Sequence, residues 1–454
     1  MDHTFNLSTG LILWLGVAVG IIWIQEKREG IPHIGLTLGY VGYLWQLHWT
    51  GGVIQLPESP LPQSEVAIDG FMESLWAIMA FAIGSGIVTL SARQLDQAIF
   101  LKSSSEYYRL SKKYAPIILA GGALFAYIIS FSPIMQIPSI TSIISAGKKL
   151  LLVSLYLYGL FGIEEKDIGK ICIVLIIIAI IPFITVIQGG FLFFGAFMSS
   201  VVLVLLAKRY APKWHLIAVI PVFLFFGLSL FMSYQEEEQA IRSIVWGGGE
   251  LEERVAVTGR IFENPEWFDP TKEYQLAHIQ GRMSQNLLLG QAISRTTRRG
   301  NYGEGETIKE AFLSVIPRAI WPEKPAVAGG HELASKYTGR SFYGNTSVGV
   351  GHVMELYVNF GRIGVIFGFL AIGMIVAYVD IKAGRALLEG RWGDLTIWLL
   401  VGIPLLLASQ PIGNIPNQMV AGFIVGWGVK VSFFDDLNWL QKDNLHEGAG
   451  HAFH

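Results

Sequence analysis

Charge is what this sequence has least of. Only 15% of its 454 residues are Asp, Glu, Lys or Arg, while 52% are apolar, whereas soluble domains carry roughly 25% charged residues. An ordinary soluble domain is thereby excluded and a membrane protein expected. Neither sign of charge dominates: 33 basic against 35 acidic residues leave a net charge of −2, so no nucleic-acid partner is expected. Cysteine is nearly absent. Cys172 stands alone in an apolar run, which rules out an internal disulfide framework or a thiolate metal site. No Lys or Arg precedes the first apolar run in MDHTFNLSTG, so an uncleaved first span is expected rather than a signal peptide. A Walker loop and a zinc-like His/Cys cluster are missing, and the segment 234–360 has no DxD. No metal and no cofactor are therefore expected.

What is present is a series of apolar runs. A bilayer core needs about 20 apolar residues per helix, and such runs lie near 8–25, 33–50, 70–91, 115–132, 138–163, 168–188, 190–207, 215–233, 361–379, 394–409 and 417–434. The expected fold is an all-α polytopic membrane protein with about eleven transmembrane helices. Lys and Arg gather in alternate loops, at Lys27–Arg28, Arg93–Lys113, Lys166–Lys170, Lys208–Lys213 and Lys382–Arg391, and are missing from the short loops between them. The positive-inside rule then places the N-terminus outside and the C-terminus in the cytoplasm.

The expected organisation follows in order: an N-terminal bundle of about eight spans over 1–233, one large extracytoplasmic loop over 234–360, about three C-terminal spans over 361–434, and a cytoplasmic tail over 435–454. Glycines at Gly16 and Gly20, Gly35 and Gly39, and Gly422 and Gly426 share helix faces and are read as helix-packing positions. Lys148 and Lys149 fall inside the fifth run; a shorter span with both amines snorkelling to its outer end is the favoured reading.

The large loop holds the candidate chemistry. A helix-like stretch from about Tyr274 to Arg299 has Leu276, Ile279, Met283 and Leu287 along one face and His278, Arg282 and Gln285 along another, which reads as an interfacial helix. Arg295, Arg298 and Arg299 stand at i, i+3 and i+4. On a helix they repel one another unless an anion lies between them; a lipid headgroup, a lipid-linked sugar diphosphate or plain solvation would each answer. In SVIPRAIWPEKP, residues 314–325, Pro317, Pro322 and Pro325 stiffen the chain, holding Arg318 and Lys324 beside Trp321. That group suits a sugar diphosphate or an interfacial anchor. In GHVMELYVNFGRIG, His352, Glu355 and Asn359 share a helical face leading into the ninth span. His352 or Glu355 is a candidate general base, with a structural His–Glu pair as the alternative. Glu236, Glu237 and Glu238 are read as a solvated helix start.

About eleven spans, one large outer loop, "IPRAIWPEKP" and "GHVMELYVNFGRIGV" together resemble the Wzy-type oligosaccharide repeat-unit polymerases, relatives of the O-antigen ligases. The sequence likeness covers residues 280–375. The resemblance implies a GT-C-like, metal-independent glycosyltransferase of the bacterial inner membrane, joining undecaprenyl-diphosphate-linked oligosaccharide units on the periplasmic side, with membrane lipids and a chain-length regulator protein as further partners. It implies diphosphate binding by Arg282, Arg295, Arg298, Arg299, Arg318 and Lys324, sugar stacking on Trp321, and catalysis by His352 and Glu355. An O-antigen ligase-type transferase and a lipid-linked glycan flippase are the alternatives.

Overall fold

A computed structural model describes residues 3–27, 31–92, 106–130, 132, 134, 137, 140–210, 213–263, 265–316, 320–321, 323–324, 329–342 and 348–435. Among these residues all regular structure is helical. The first helices are α1 (His3–Lys27), α2 (Leu36–Leu44), α3 (Thr50–Ile54), α4 (Glu65–Ser91), α5 (Glu106–Ile129) and α6 (Ile140–Lys148). There follow α7 (Leu150–Glu165), α8 (Ile168–Gly189), α9 (Leu192–Arg209), α10 (Lys213–Trp246), α11 (Leu251–Gly259) and α12 (Glu273–Arg282). The last are α13 (Asn286–Arg299), α14 (Glu306–Ser314), α15 (Gly330–Thr338), α16 (His352–Leu388), α17 (Trp392–Leu406) and α18 (Ile415–Val429).

Seven stretches among the described residues are long and apolar enough to cross a membrane: 7–26, 65–91, 112–129, 140–165, 168–189, 192–209 and 352–388. The expected eleven are not reached, and each missing run has its own reason. The run at 33–50 is divided, α2 passing into a π-helical stretch at Trp45–Trp49 before α3. The run at 215–233 lies within the 34-residue α10, which continues beyond it through the polar stretch 235–239 to Trp246. α17 has only 15 residues, about 22 Å of helix at 1.5 Å per residue against a hydrocarbon core of about 30 Å, and α18, also 15 residues, passes into a π-helical stretch at Lys430–Asp435.

The chain forms two compact units. One comprises 1–52, 65–154 and 285–454; the other comprises 53–64 and 155–284. The long loop expected at 234–360 is thus divided at Ser284. Its first residues prolong α10 to Trp246, and the helix stretch expected from Tyr274 to Arg299 is two helices. Between them the Gln285 amide leaves the helical ladder to donate to the Leu47 carbonyl at 2.9 Å. Leu276 and Ile279 are not an interfacial face. They are buried with Phe231, Met232, Ile241, Val257 and Ile261 in the core of the smaller unit, where Met283 packs at the edge.

In the larger unit, glycines bring α16 against α4. A Cβ at Gly84 would lie 2.1 Å from the Leu370 carbonyl oxygen, and one at Gly373 would lie 2.4 Å from that of Phe81. Backbones this close exclude any side chain. Gly422 and Gly426 meet α17 in the same way, as their spacing suggested, but Gly16 and Gly20 face open space and pack on nothing within 4 Å.

Asp380 of α16 fastens α2. Its Oδ1 accepts from the amides of Ile34, Gly35 and Leu36 at 2.9, 3.0 and 3.1 Å, and its Oδ2 from the Thr37 amide and hydroxyl at 3.1 and 2.8 Å. A helix start exposes amides that nothing in the helix can satisfy. Here a carboxylate some 345 residues away in sequence supplies the acceptor and complements the helix dipole.

Candidate functional site

The first nine residues of α16 form the polar heart of the larger unit. Gly361, with φ 65° and ψ −159°, interrupts the helical geometry in a region open essentially to glycine alone. This sets His352–Phe360 apart from the apolar length that follows. His352, Glu355 and Asn359 share one face, as their spacing suggested, and all three are buried.

His352 Nδ1 lies 2.9 Å from the hydroxyl of Tyr40 on α2, and the Tyr40 ring stacks on Phe81 with centroids 4.8 Å apart. The other ring nitrogen, Nε2, is buried with no hydrogen-bond partner. Glu355 Oε2 accepts from the Ile412 amide at 2.6 Å, and its Oε1 is likewise buried without a hydrogen-bond partner of good geometry, although the Thr307 hydroxyl and Glu310 stand near the carboxyl. Buried polar atoms in native proteins nearly always find partners. The two atoms lie one helical turn apart on groups able to take a proton, which makes the pair the candidate general base. Asn359 has a different task. It donates to Thr307 Oγ1 at 2.8 Å and to the Glu355 carbonyl at 2.7 Å, and accepts from the Gly305 amide at 3.0 Å, tying the 303–307 turn to α16.

Arg295, Arg298 and Arg299 occupy the last two turns of α13, which meets α16 where the Thr297 and Tyr357 hydroxyls lie 3.2 Å apart. Arg298 and Arg299 are exposed and Arg295 is half-buried. Among the described residues none of the three is ion-paired to a carboxylate. Arg298 curls back on its own helix, donating to the Ser294 carbonyl at 3.1 Å and to the Ser294 hydroxyl. Arg295 lies against Gly339, where a Cβ would come within 2.4 Å of its guanidinium.

The remaining expected diphosphate ligands do not join this group. Arg282 belongs to the smaller unit, where it pairs with the buried Glu238 at 2.8 Å; Arg242 holds the other oxygen at 2.5 Å. Glu238 is thus an internal acid, not part of a solvated helix start. Lys324 donates to the Ser314 and Ile316 carbonyls at 2.9 and 2.7 Å, closing the C-terminus of α14 in the manner of a basic helix cap. Trp321 is half-buried beside it and accepts from the Lys324 amide at 3.2 Å. Arg318 lies outside the described residues, as do Pro317, Pro322 and Pro325.

Two buried charges escaped the sequence reading, and a third charge is set differently from its expectation. Glu73 of α4 receives the Arg362 guanidinium at 2.8 and 3.0 Å; Asp380 fastens α2; and Lys149 turns inward to Gln418 Oε1 at 3.0 Å instead of snorkelling. The available signal was an isolated charge within an apolar run, which is expensive without a partner. Among the described residues no group of three or more His, Cys, Asp or Glu side chains is disposed to hold a metal ion.

Residues 88–393 match the family described as Domain of unknown function (DUF8712). The chain belongs to that family. The DUF8712 match takes in the α13 arginines, His352, Glu355 and Arg362, and leaves Tyr40 and the 409–418 segment outside. No curated protein and no solved structure matches the chain, so the GT-C-like architecture expected from the resemblance gains no support.

Proposed function

We propose that this DUF8712 protein is a membrane glycosyltransferase. It polymerises undecaprenyl-diphosphate-linked oligosaccharide units at the periplasmic face of a bacterial cytoplasmic membrane. The observation that carries this reading is the presence, in one compact unit, of three arginines that have no carboxylate partner among the described residues and of a buried His–Glu pair with one atom on each residue lacking a hydrogen-bond partner of good geometry.

The chemistry divides between them. An acceptor sugar hydroxyl attacks the anomeric carbon of the donor, and the bond from that carbon to the diphosphate oxygen breaks, leaving its electron pair on the diphosphate. Fixed guanidinium groups stabilise that growing charge more in the transition state than in the bound donor. The hydroxyl proton passes to Glu355 Oε1 or His352 Nε2. Both bases are buried, so the acceptor reaches them only when the 303–307 turn or the 409–414 segment gives way. A lid of this kind would also exclude water from the reaction.

The test is reconstitution of the full chain with a synthetic lipid-diphosphate repeat unit. Wild type should give a ladder of products. Glu355→Gln or His352→Ala should slow it by about 10²–10⁴, the range of a general base, and Arg298→Ala with Arg299→Ala should slow it without abolishing donor binding. Identical ladders from all preparations would overturn the site. Movement of the intact lipid across the bilayer with no new glycosidic bond would make the protein a flippase instead.

A further inference from the structure

A positive charge inside a membrane helix needs an anion or an escape to water, and among the described residues Lys149 has no carboxylate partner. It stands at the break between α6 and α7, within the span 140–165, and Gln418 Oε1 is its hydrogen-bond partner among the described residues. An ammonium group has three donors, and a neutral amide oxygen leaves its charge uncompensated. Lys148, next to it, lies over the Tyr127 ring at 5.1 Å, so its partner is also uncharged.

The sequence removes the obvious counterions. No Asp or Glu occurs between 107 and 163 or between 395 and 434, which covers α5 after its first residue, α6, the segment 407–414 and α18. These helices pack together, α5 and α18 both on α6. α14, which packs on α18, carries Glu306 and Glu310; Glu306 pairs with Lys336 at 3.2 Å and Glu310 neighbours Glu355. The amide facing Lys149 is itself held in place. Gln418 Nε2 donates to Gln410 Oε1 at 3.1 Å, and Gln410 Nε2 to the Pro404 carbonyl at 3.0 Å.

We propose that Lys149, with Lys148 beside it, binds the phosphate of a membrane amphiphile. A free anion would not partition to a site inside a membrane helix, whereas an amphiphile brings its own tail. Leu124, Phe125 and Ile128 of the adjoining α5 are all more than 60% exposed and offer that tail an apolar wall. The phosphate has two possible sources: a phospholipid headgroup, or the lipid-linked diphosphate of the reaction above. In the second case the inference rests on that reading and adds a cation to its site; in the first it stands without it.

The experiment reads binding without turnover, so its failure and the failure of glycan transfer are separable. Delipidated full chain in detergent is titrated with phosphatidylglycerol, undecaprenyl diphosphate and, as a phosphate-free control, diacylglycerol, and bound lipid is read by native mass spectrometry. Wild type should retain the phosphate lipids over the control. Lys149→Gln should weaken that retention about tenfold or more, the loss of a hydrogen bond to a charged group, and Lys149→Arg should keep it. Retention of both lipids marks a headgroup site, and of the diphosphate alone a carrier site; either supports the proposal. Equal retention by wild type and Lys149→Gln overturns it. Should Lys149→Gln not fold, acylation of the Lys149 amine in wild type decides: lipid phosphate should slow it about tenfold by the same contact, and an unchanged rate overturns the proposal.

Discussion

Replacing Asp380 by Ala should loosen the start of α2 and, through it, the setting of His352. The carboxylate accepts four backbone amides and one hydroxyl at 2.8 to 3.1 Å, with His33 Nδ1 at 3.3 Å as a further neighbour. A hydrogen bond to a charged group contributes ~1.5–3 kcal/mol. These bonds share two oxygens and the freed amides can partly rearrange, so their sum overstates the loss. Each buried donor left unsatisfied costs about 1–3 kcal/mol, and with some of the amides finding other acceptors a loss of about 3–5 kcal/mol is expected for Asp380→Ala. Asp380→Asn keeps one acceptor but turns an NH₂ toward the donors, and should recover less than half of the loss. Hydrogen exchange in the detergent-solubilised chain is the direct assay. The amides of 34–37 should exchange much faster in Asp380→Ala, with a matching fall in the thermal unfolding temperature. Because α2 carries Tyr40, 2.9 Å from His352, any transferase activity should fall as well. Unchanged protection of those amides in a well-folded Asp380→Ala protein would refute the reasoning, since it would mean that the carboxylate is not what satisfies the helix start.

Arg362→Ala should destabilise the protein more than Glu73→Gln, by about 3–5 kcal/mol, because it strands a buried carboxylate, whereas the Arg362 side chain is 56% exposed and can turn to solvent; thermal unfolding of both variants and of the double variant, expected to recover part of the loss, checks this. Gly373→Ala, whose Cβ would lie 2.4 Å from the Phe81 carbonyl oxygen, should cost roughly 1–3 kcal/mol as overpacking does, while Gly16→Ala, which meets nothing, should stay within about 0.5 kcal/mol of wild type. In the smaller unit, the Tyr274 hydroxyl, then the Lys272 ammonium and the Gln275 amide, hold the Glu266 carboxyl below its ordinary value. A depressed folded pKa means stability that is fully present above the unfolded value, about 4.3, and is lost as pH falls through the lower folded value; limited proteolysis of the 266–275 turn should therefore be constant above about pH 5 and rise only in acid, and Glu266→Gln should reduce that pH dependence to the part carried by Asp269, whose carboxyl the Thr271 hydroxyl and amide also hold below its ordinary value.

How much of this was legible in the sequence depended on how far apart the partners lie. The face shared by His352, Glu355 and Asn359 follows from helical spacing alone, and the structure keeps it. The apolar runs correctly gave a helical membrane protein, because apolarity is a local property; they overcounted spans because apolarity does not show where a helix ends or changes its winding, as at α17, which has 15 residues, and at the π-helical stretches Trp45–Trp49 and Lys430–Asp435. Pairings across the chain were not legible. Nothing near Arg282 announces Glu238, and nothing near Asp380 announces the amides of 34–37. Even so, Glu73 and Asp380, which the sequence reading passed over, lie in or beside apolar sequence, and in the structure each has a partner of opposite charge or a cluster of amides. Lys149 breaks that pattern. Its partner among the described residues is a neutral amide, and by the rule that explains Glu73 and Asp380 the proposed lipid phosphate is the anion that would match it.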